Sequence, residues 1–272
     1  MNTRWRNDNY ITTWRQFWNI YKVQGCRLLN RLDDFPNSIL VAGCQRSGTT
    51  LLSRIINESE GITTYWFGPD DELDAALILS GYVEHEPRGR YCFQTTYIND
   101  CYREYSVYKD RHKIIWLLRN PFSVIYSMLN NWNDESLNEL YRSCGRKIVS
   151  GSDKWISALS GDVGISRLRK ACWGYKGKFT QIFELYDSFN DNSLMIVDYD
   201  DLVLNKEVVL PSIYRFLNLN YQERYADIIQ QRSLEKSKHL SEQESNTIKE
   251  ICEAQYLKGR ALISRSSKPD GC

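Results

Sequence analysis

The chain has 272 residues, 42% of them hydrophobic and 25% charged, with 35 basic side chains against 34 acidic ones. That composition suits a single globular α/β domain with a large buried core, and the near-cancelling charge argues against wholesale nucleic-acid binding, which needs a clustered positive excess. The eight cysteines are too sparse for a disulfide scaffold and no pair has C-x-x-C spacing, so free thiols, no bound metal and a reducing, cytoplasmic setting are expected.

In chain order, the N-terminus shows no uninterrupted apolar region of the signal-peptide kind. No window approaches the roughly 20 apolar residues of an integral membrane span. Residues 1–34 read as a helical lead-in, because Trp14, Phe17, Trp18, Tyr21 and Leu28 recur at helical spacing among Arg and Lys. A helix packed on the domain is favoured there over one lying on a membrane or a partner. The turn signal Asp33–Asn37 follows, then the apolar run 38–43. Two more such runs lie at 113–118 and 193–197, and their continuous hydrophobicity suits parallel strands buried on both faces. Helical stretches between them predict an α/β, P-loop-like three-layer fold, a central parallel sheet flanked by helices. The expected core is 35–260, with 261–272 a flexible tail and the whole of 1–272 one domain.

The first strand ends in Gly43-Cys44-Gln45-Arg46-Ser47-Gly48-Thr49-Thr50 and runs into a helix-like segment. A glycine-bounded loop between strand and helix turns backbone N–H groups inward, and the helix N-terminus adds partial positive charge. Thr49 and Thr50 add hydroxyl donors. The spacing mimics G-x-x-x-x-G-K-[ST], but Thr49 stands where the lysine of a nucleoside triphosphatase belongs. The cation sits instead inside the loop, at Arg46, where it can stabilise charge on a leaving phosphate. The second strand ends in Arg119-Asn120-Pro121, with Ser127 about two turns into the next helix. Pro121 is suited to a helix start, and Arg119 stands at a strand's C-terminal edge, where α/β folds bind ligands. An Arg and a Ser converging there make a phosphate site.

These residues carry a resemblance. Arg46-Ser47-Gly48-Thr49-Thr50 after a strand, and Arg119-Asn120-Pro121 with Ser127, resemble the two nucleotide motifs of the sulfotransferases that use 3′-phosphoadenosine 5′-phosphosulfate (PAPS), in particular their bacterial and protein-tyrosine branches. A softer match, Tyr199-Asp200-Asp201-Leu202, resembles the end of the family's late strand. The resemblance implies that the first loop (Arg46, Ser47, Gly48, Thr49, Thr50) holds the 5′-phosphosulfate. It implies that Arg46 contacts the bridging region during transfer, that Arg119 and Ser127 hold the 3′-phosphate, and that Tyr199 lies near the nucleotide.

In relatives the base is a His or Glu between the two motifs. Gly68-Pro69-Asp70-Asp71-Glu72-Leu73 resembles the segment that supplies it, so Glu72 is the expected base, with Asp70, Asp71 and His85 as alternatives. The segment Tyr91–Tyr97 departs from the Lys-Thr-Pro common among bacterial members, which puts carry-over of substrate contacts in doubt. The function implied is metal-free sulfuryl transfer from PAPS to a hydroxyl or amine acceptor, and the aromatic content favours a small or medium hydroxylated molecule. Two other readings stay open. A P-loop kinase would require magnesium, and a non-catalytic PAPS-binding protein would never turn over.

Overall fold

Apolar runs become strands where both faces can be buried. The computed structural model describes residues 3–5, 10–25 and 27–266. Among them the strands are β1 (Thr3–Trp5), β2 (Ile39–Gly43), β3 (Val83–His85), β4 (Cys92–Gln94), β5 (Lys113–Leu118) and β6 (Leu194–Asp198). In the order β4-β2-β5-β6 four of them form an all-parallel sheet, while β1 pairs antiparallel with β3 in a separate ribbon. Ile39 and Val41 of β2, with Ile115 and Leu117 of β5, pack against Leu52, Ile55 and Leu210 on one side. Leu40 and Ala42, with Ile114 and Trp116, pack against Tyr175 and Phe179 on the other. Both faces are therefore apolar, which is why these strands read as unbroken hydrophobic runs. The result is the three-layer α/β arrangement expected.

The register aligns the carboxyl ends. Val41 pairs with Gln94, Gly43 with Leu117, and Leu118 with Asp198. The loops after β2, β4, β5 and β6 therefore emerge along one edge of the sheet, and ligand sites of such sheets form at that edge.

Some boundaries differ from expectation. Among the described residues of the lead-in, the α-helix spans Trp14–Gln24, started by a reciprocal Thr13–Gln16 capping box and stopped by Gly25 at φ 62°, and a 3₁₀ turn follows at Leu32–Asp34. The strand β6 is shifted one residue along from 193–197, and β4 was not read as a strand. The last helix, Ala254–Ser266, runs into the segment expected to be flexible, and residues 267–272 lie outside the described residues. No helix among the described residues is long and apolar enough to cross a membrane.

Candidate active site

The loop after β2 is built by close backbone approach. Gly43 sits at φ 140°, and a Cβ there would come within 2.5 Å of the Leu117 carbonyl oxygen. Gly48 sits at φ 92°, and a Cβ there would meet the Tyr199 ring at 2.1 Å. Between them Arg46 holds φ 69°, a left-handed conformation uncommon for a side chain of its size. Gly48 caps the helix Thr49–Asn57 without any side-chain bond, so the first-turn N–H groups keep their donors for an anion.

The second motif locks onto the first. Arg46 Nε donates to Ser127 Oγ at 2.9 Å, and Arg119 Nη1 donates to the Arg46 carbonyl at 3.1 Å. The Arg119 guanidinium lies 4.3 Å from the Tyr199 ring centre, and its own carbonyl accepts from Tyr175 Oη at 2.9 Å. Asn120 caps the helix Pro121–Asn131 through Ser123 N at 2.8 Å, and Ser127, two turns on, is 1% exposed.

A cleft of about 480 Å³ opens at this edge, and Arg46, Gly48, Thr49, Thr50, Arg119 and Ser127 line it together with Glu72. The helix Asp71–Ser80 brings Glu72 there. Thr96 Oγ1 donates to Glu72 Oε1, and Gln94 Nε2 donates to Oε2 at 3.1 Å. The same Gln94 amide reaches Thr50 Oγ1 at 3.1 Å and Thr49 Oγ1 at 3.3 Å. Burial pushes the Glu72 carboxyl up to about 8 against the pull of the Thr96 hydrogen bond; Asp70 and Asp71 add to the rise and Lys178 opposes it. A carboxyl that titrates near the working pH, beside a phosphate loop, is suited to proton transfer.

The alternatives separate clearly. Asp70 is a helix cap: Oδ1 takes the N–H groups of Glu72 and Leu73 at 3.1 and 3.0 Å, and Oδ2 takes Trp14 Nε1 at 2.9 Å. Asp71 lines the cleft but pairs with Arg54 at 3.3 Å. His85 lies on β3 against the rings of Tyr91 and Phe35, away from the cleft, and not in the exposed loop that its flanking acids suggested. Burial, with Arg88 nearby, pulls its pKa down.

The sequence pattern of the sulfotransferase domain matches residues 36–267. The chain belongs to the sulfotransferase family. It is similar in structure to the sulfotransferase domain of the curacin biosynthetic pathway, at 15% identity over 85% of this chain and 98% of that one, with a TM-score of 0.49. A mouse sulfotransferase complexed with PAP matches at 17% identity over 88% and 92%, TM-score 0.49. A sulfotransferase of Alicyclobacillus acidocaldarius matches at 17% over 86% and 99%, TM-score 0.48. No curated protein sequence matches the chain.

Three residues that line the cleft escape the sequence reading. Gln94 ends β4 and Thr96 lies two residues beyond it, and a three-residue strand is too short to show a period. The signal that could have found them was the strand-end rule that found Arg119. Lys236, from the 3₁₀ segment Gln231–His239, also lines the cleft. Burial pulls its pKa down, and so does the like charge of Arg119 and Arg46. Three crowded cations are the complement of a polyanion. Two residues of the expected set stand behind the wall. Ser47 is fully buried, its N–H closing the turn onto Cys44 O at 3.1 Å, and Tyr199 is 5% exposed, packed on Gly48 and Arg119.

Proposed function

We propose that this sulfotransferase transfers the sulfuryl group of PAPS to a hydroxyl acceptor, with Glu72 as general base, and that residues 1–272 form one domain. The donor supplies an electrophilic sulfur on a phosphate leaving group: the acceptor oxygen–sulfur bond forms as the sulfur–bridging-oxygen bond breaks, leaving 3′-phosphoadenosine 5′-phosphate (PAP). Glu72 takes the acceptor's hydroxyl proton on a free lone pair of its carboxylate. Arg46 and the N-terminus of the helix Thr49–Asn57 neutralise the charge that grows on the leaving phosphate, with Thr49 and Thr50 donating hydroxyl hydrogens. Arg119 and Ser127 hold the 3′-phosphate, assisted by Lys236. Gly48 lets the phosphate approach the backbone, and the Tyr199 ring supports both Gly48 and Arg119 from behind. Thr49 takes the place of the lysine in the Lys-[Ser/Thr] pair that serves magnesium-dependent loops, so the transfer is read as metal-free. Buried free thiols at Cys44, Cys92 and Cys144 fit a cytoplasmic setting.

One observation carries this reading: the Gln94 amide joins the Glu72 carboxylate to both threonines of the phosphate loop, so base and donor cradle are neighbours. The test is Glu72→Gln, which keeps size and hydrogen-bonding capacity. Turnover should fall by about 10²–10⁴. Affinity for PAP, measured by calorimetry, should stay close to that of the parent. Near-normal turnover of the variant would overturn the assignment.

A further inference from the structure

The cleft has two ends of opposite character. Arg46, Arg119 and Lys236 make one end cationic. The other end is walled by Trp14 and Trp18 of the N-terminal helix, by Trp132 and Tyr97, and by Glu139. The N-terminal helix explains part of this. Phe17 points into the core at 0% exposure, while Trp14 and Trp18, one turn apart, stack at 6.2 Å and face the cleft. Trp14 Nε1 is held by Asp70 Oδ2 at 2.9 Å, which fixes that ring against the cap of the helix carrying Glu72. Arg15 Nε lies 3.9 Å from Glu135 Oε1, so the N-terminal helix runs beside the helix Asp134–Leu140. Glu139 is one turn on from Glu135 and shares its face.

We propose that the acceptor of this sulfotransferase carries a cationic amine, which Glu139 receives against the tryptophan wall while the acceptor's hydroxyl meets Glu72. The inference rests on the sulfotransferase reading of the cleft. The Glu139 carboxylate makes no ion pair or hydrogen bond among the described residues, although it is half-buried and lines the cleft together with Trp14, Trp18 and Trp132. Burial lifts its pKa to about 7; Glu135 and Asp100 push the same way, and Lys22 and Arg142 oppose. A carboxylate taken partly out of water without a partner is costly, and a ligand ammonium at that point recovers the cost. Tryptophan faces add cation–π attraction to the same group. An anionic acceptor would meet repulsion from Glu139 and from Asp70, which lines the same cleft. The two charged ends thus sort the two substrates, polyanionic donor to one and cationic acceptor to the other. The ammonium serves as an anchor and stays protonated, so the nucleophile is the hydroxyl.

The test uses the full chain saturated with PAP and three probes of one shape: tyramine, 4-ethylphenol and 3-(4-hydroxyphenyl)propionate. Calorimetry is run above the titration of Glu139 and below that of the ammonium. Tyramine should bind tightest and the propionate weakest, with about tenfold or more between tyramine and 4-ethylphenol, as one charge-assisted contact gives. Glu139→Gln should bring tyramine down to the level of 4-ethylphenol, and Glu139→Asp, which keeps the charge, should retain a preference. Equal affinities in the parent, no binding of either phenol, or an undiminished preference in Glu139→Gln would each overturn the proposal. PAP affinity is measured first. If PAP does not bind, the donor reading fails, and the same titrations on the free chain still decide the acceptor inference.

Discussion

Thr96→Val isolates one hydrogen bond on the proposed base. Thr96 is fully buried, and valine replaces its hydroxyl with a methyl of similar size, so the wall keeps its shape. What goes is the donor to Glu72 Oε1, while Gln94 still donates to Oε2. The lost bond favours the ionised carboxylate, so its removal raises the pKa further. Hydrogen bonds to charged groups are worth about 1.5–3 kcal/mol, and about 1.4 kcal/mol moves a pKa by one unit. Starting from about 8, the Glu72 titration should therefore move up by roughly one to two units, nearer the lower figure because Gln94 remains. A base must be ionised to accept a proton, so kcat/KM for the acceptor should rise through a limb near 8 in the parent and later in the variant. Both should approach a similar plateau at alkaline pH, with PAP binding little changed. If the limb stays near 8, or if the rate falls equally at every pH, Thr96 does not set the ionisation of the base and the reasoning fails.

Arg119→Ala should weaken PAP binding by about tenfold or more and remove the preference for PAP over its 3′-dephospho analogue, since one charge-assisted hydrogen bond carries about 1.5–3 kcal/mol; equal losses for both nucleotides in calorimetry would detach Arg119 from the 3′-phosphate. Arg46→Ala should lower turnover by about 10²–10³ while changing affinity for PAPS much less, because it serves charge that develops only during transfer; the reverse pattern would make Arg46 a binding residue. Glu72→Gln should also change stability with pH. The folded state holds the Glu72 proton up to about 8 against the ordinary value of 4.5, so Glu72 costs stability as pH rises through that window. The variant should out-melt the parent above pH 8 and lose that advantage below 4.5; a gap independent of pH would contradict the raised titration.

Much of the candidate site is legible in the sequence because its loops rest on backbone geometry that leaves a trace in residue type. Gly43 and Gly48 are required by close approaches to Leu117 and Tyr199, and the loop between them is bounded accordingly. Arg119 follows a strand whose last five residues, Ile114–Leu118, read as a continuous apolar run. The proposed base is legible only as a segment. Asp70, Asp71 and Glu72 are adjacent acids, and which one faces the cleft with free lone pairs depends on where the helix begins. Asp70 spends its carboxylate on the cap, Asp71 meets Arg54, and Glu72 turns inward. His85 misled because flanking charges and a proline suggest a loop, whereas pairing with β1 draws the segment into a ribbon against Phe35 and Tyr91. The tryptophans of the N-terminal helix gave a correct period but no sign that one face serves the core and the next the cleft.

Gln94 shows how the proposed donor and acceptor halves of the cleft are made to act together. Its amide nitrogen has two hydrogens, and within 3.3 Å it meets Glu72 on one side and the threonines of the phosphate loop on the other. A threonine hydroxyl that gives its hydrogen to a phosphate becomes a better acceptor for the amide behind it. In the proposed complex, donor phosphate would strengthen the bond that Gln94 makes to the loop, and the planar amide would carry that anchoring to the Glu72 carboxylate. The backbone of β4 is paired with β2, which also launches the loop, so the spacing between base and cradle is set by sheet register rather than by a flexible side chain alone. A lysine at this position would bring a charge to the cleft; the neutral amide instead links the two groups without adding one, and the titration of Glu72 is raised chiefly by burial and lowered by Thr96, with Asp70 and Asp71 adding to the rise and Lys178 opposing it.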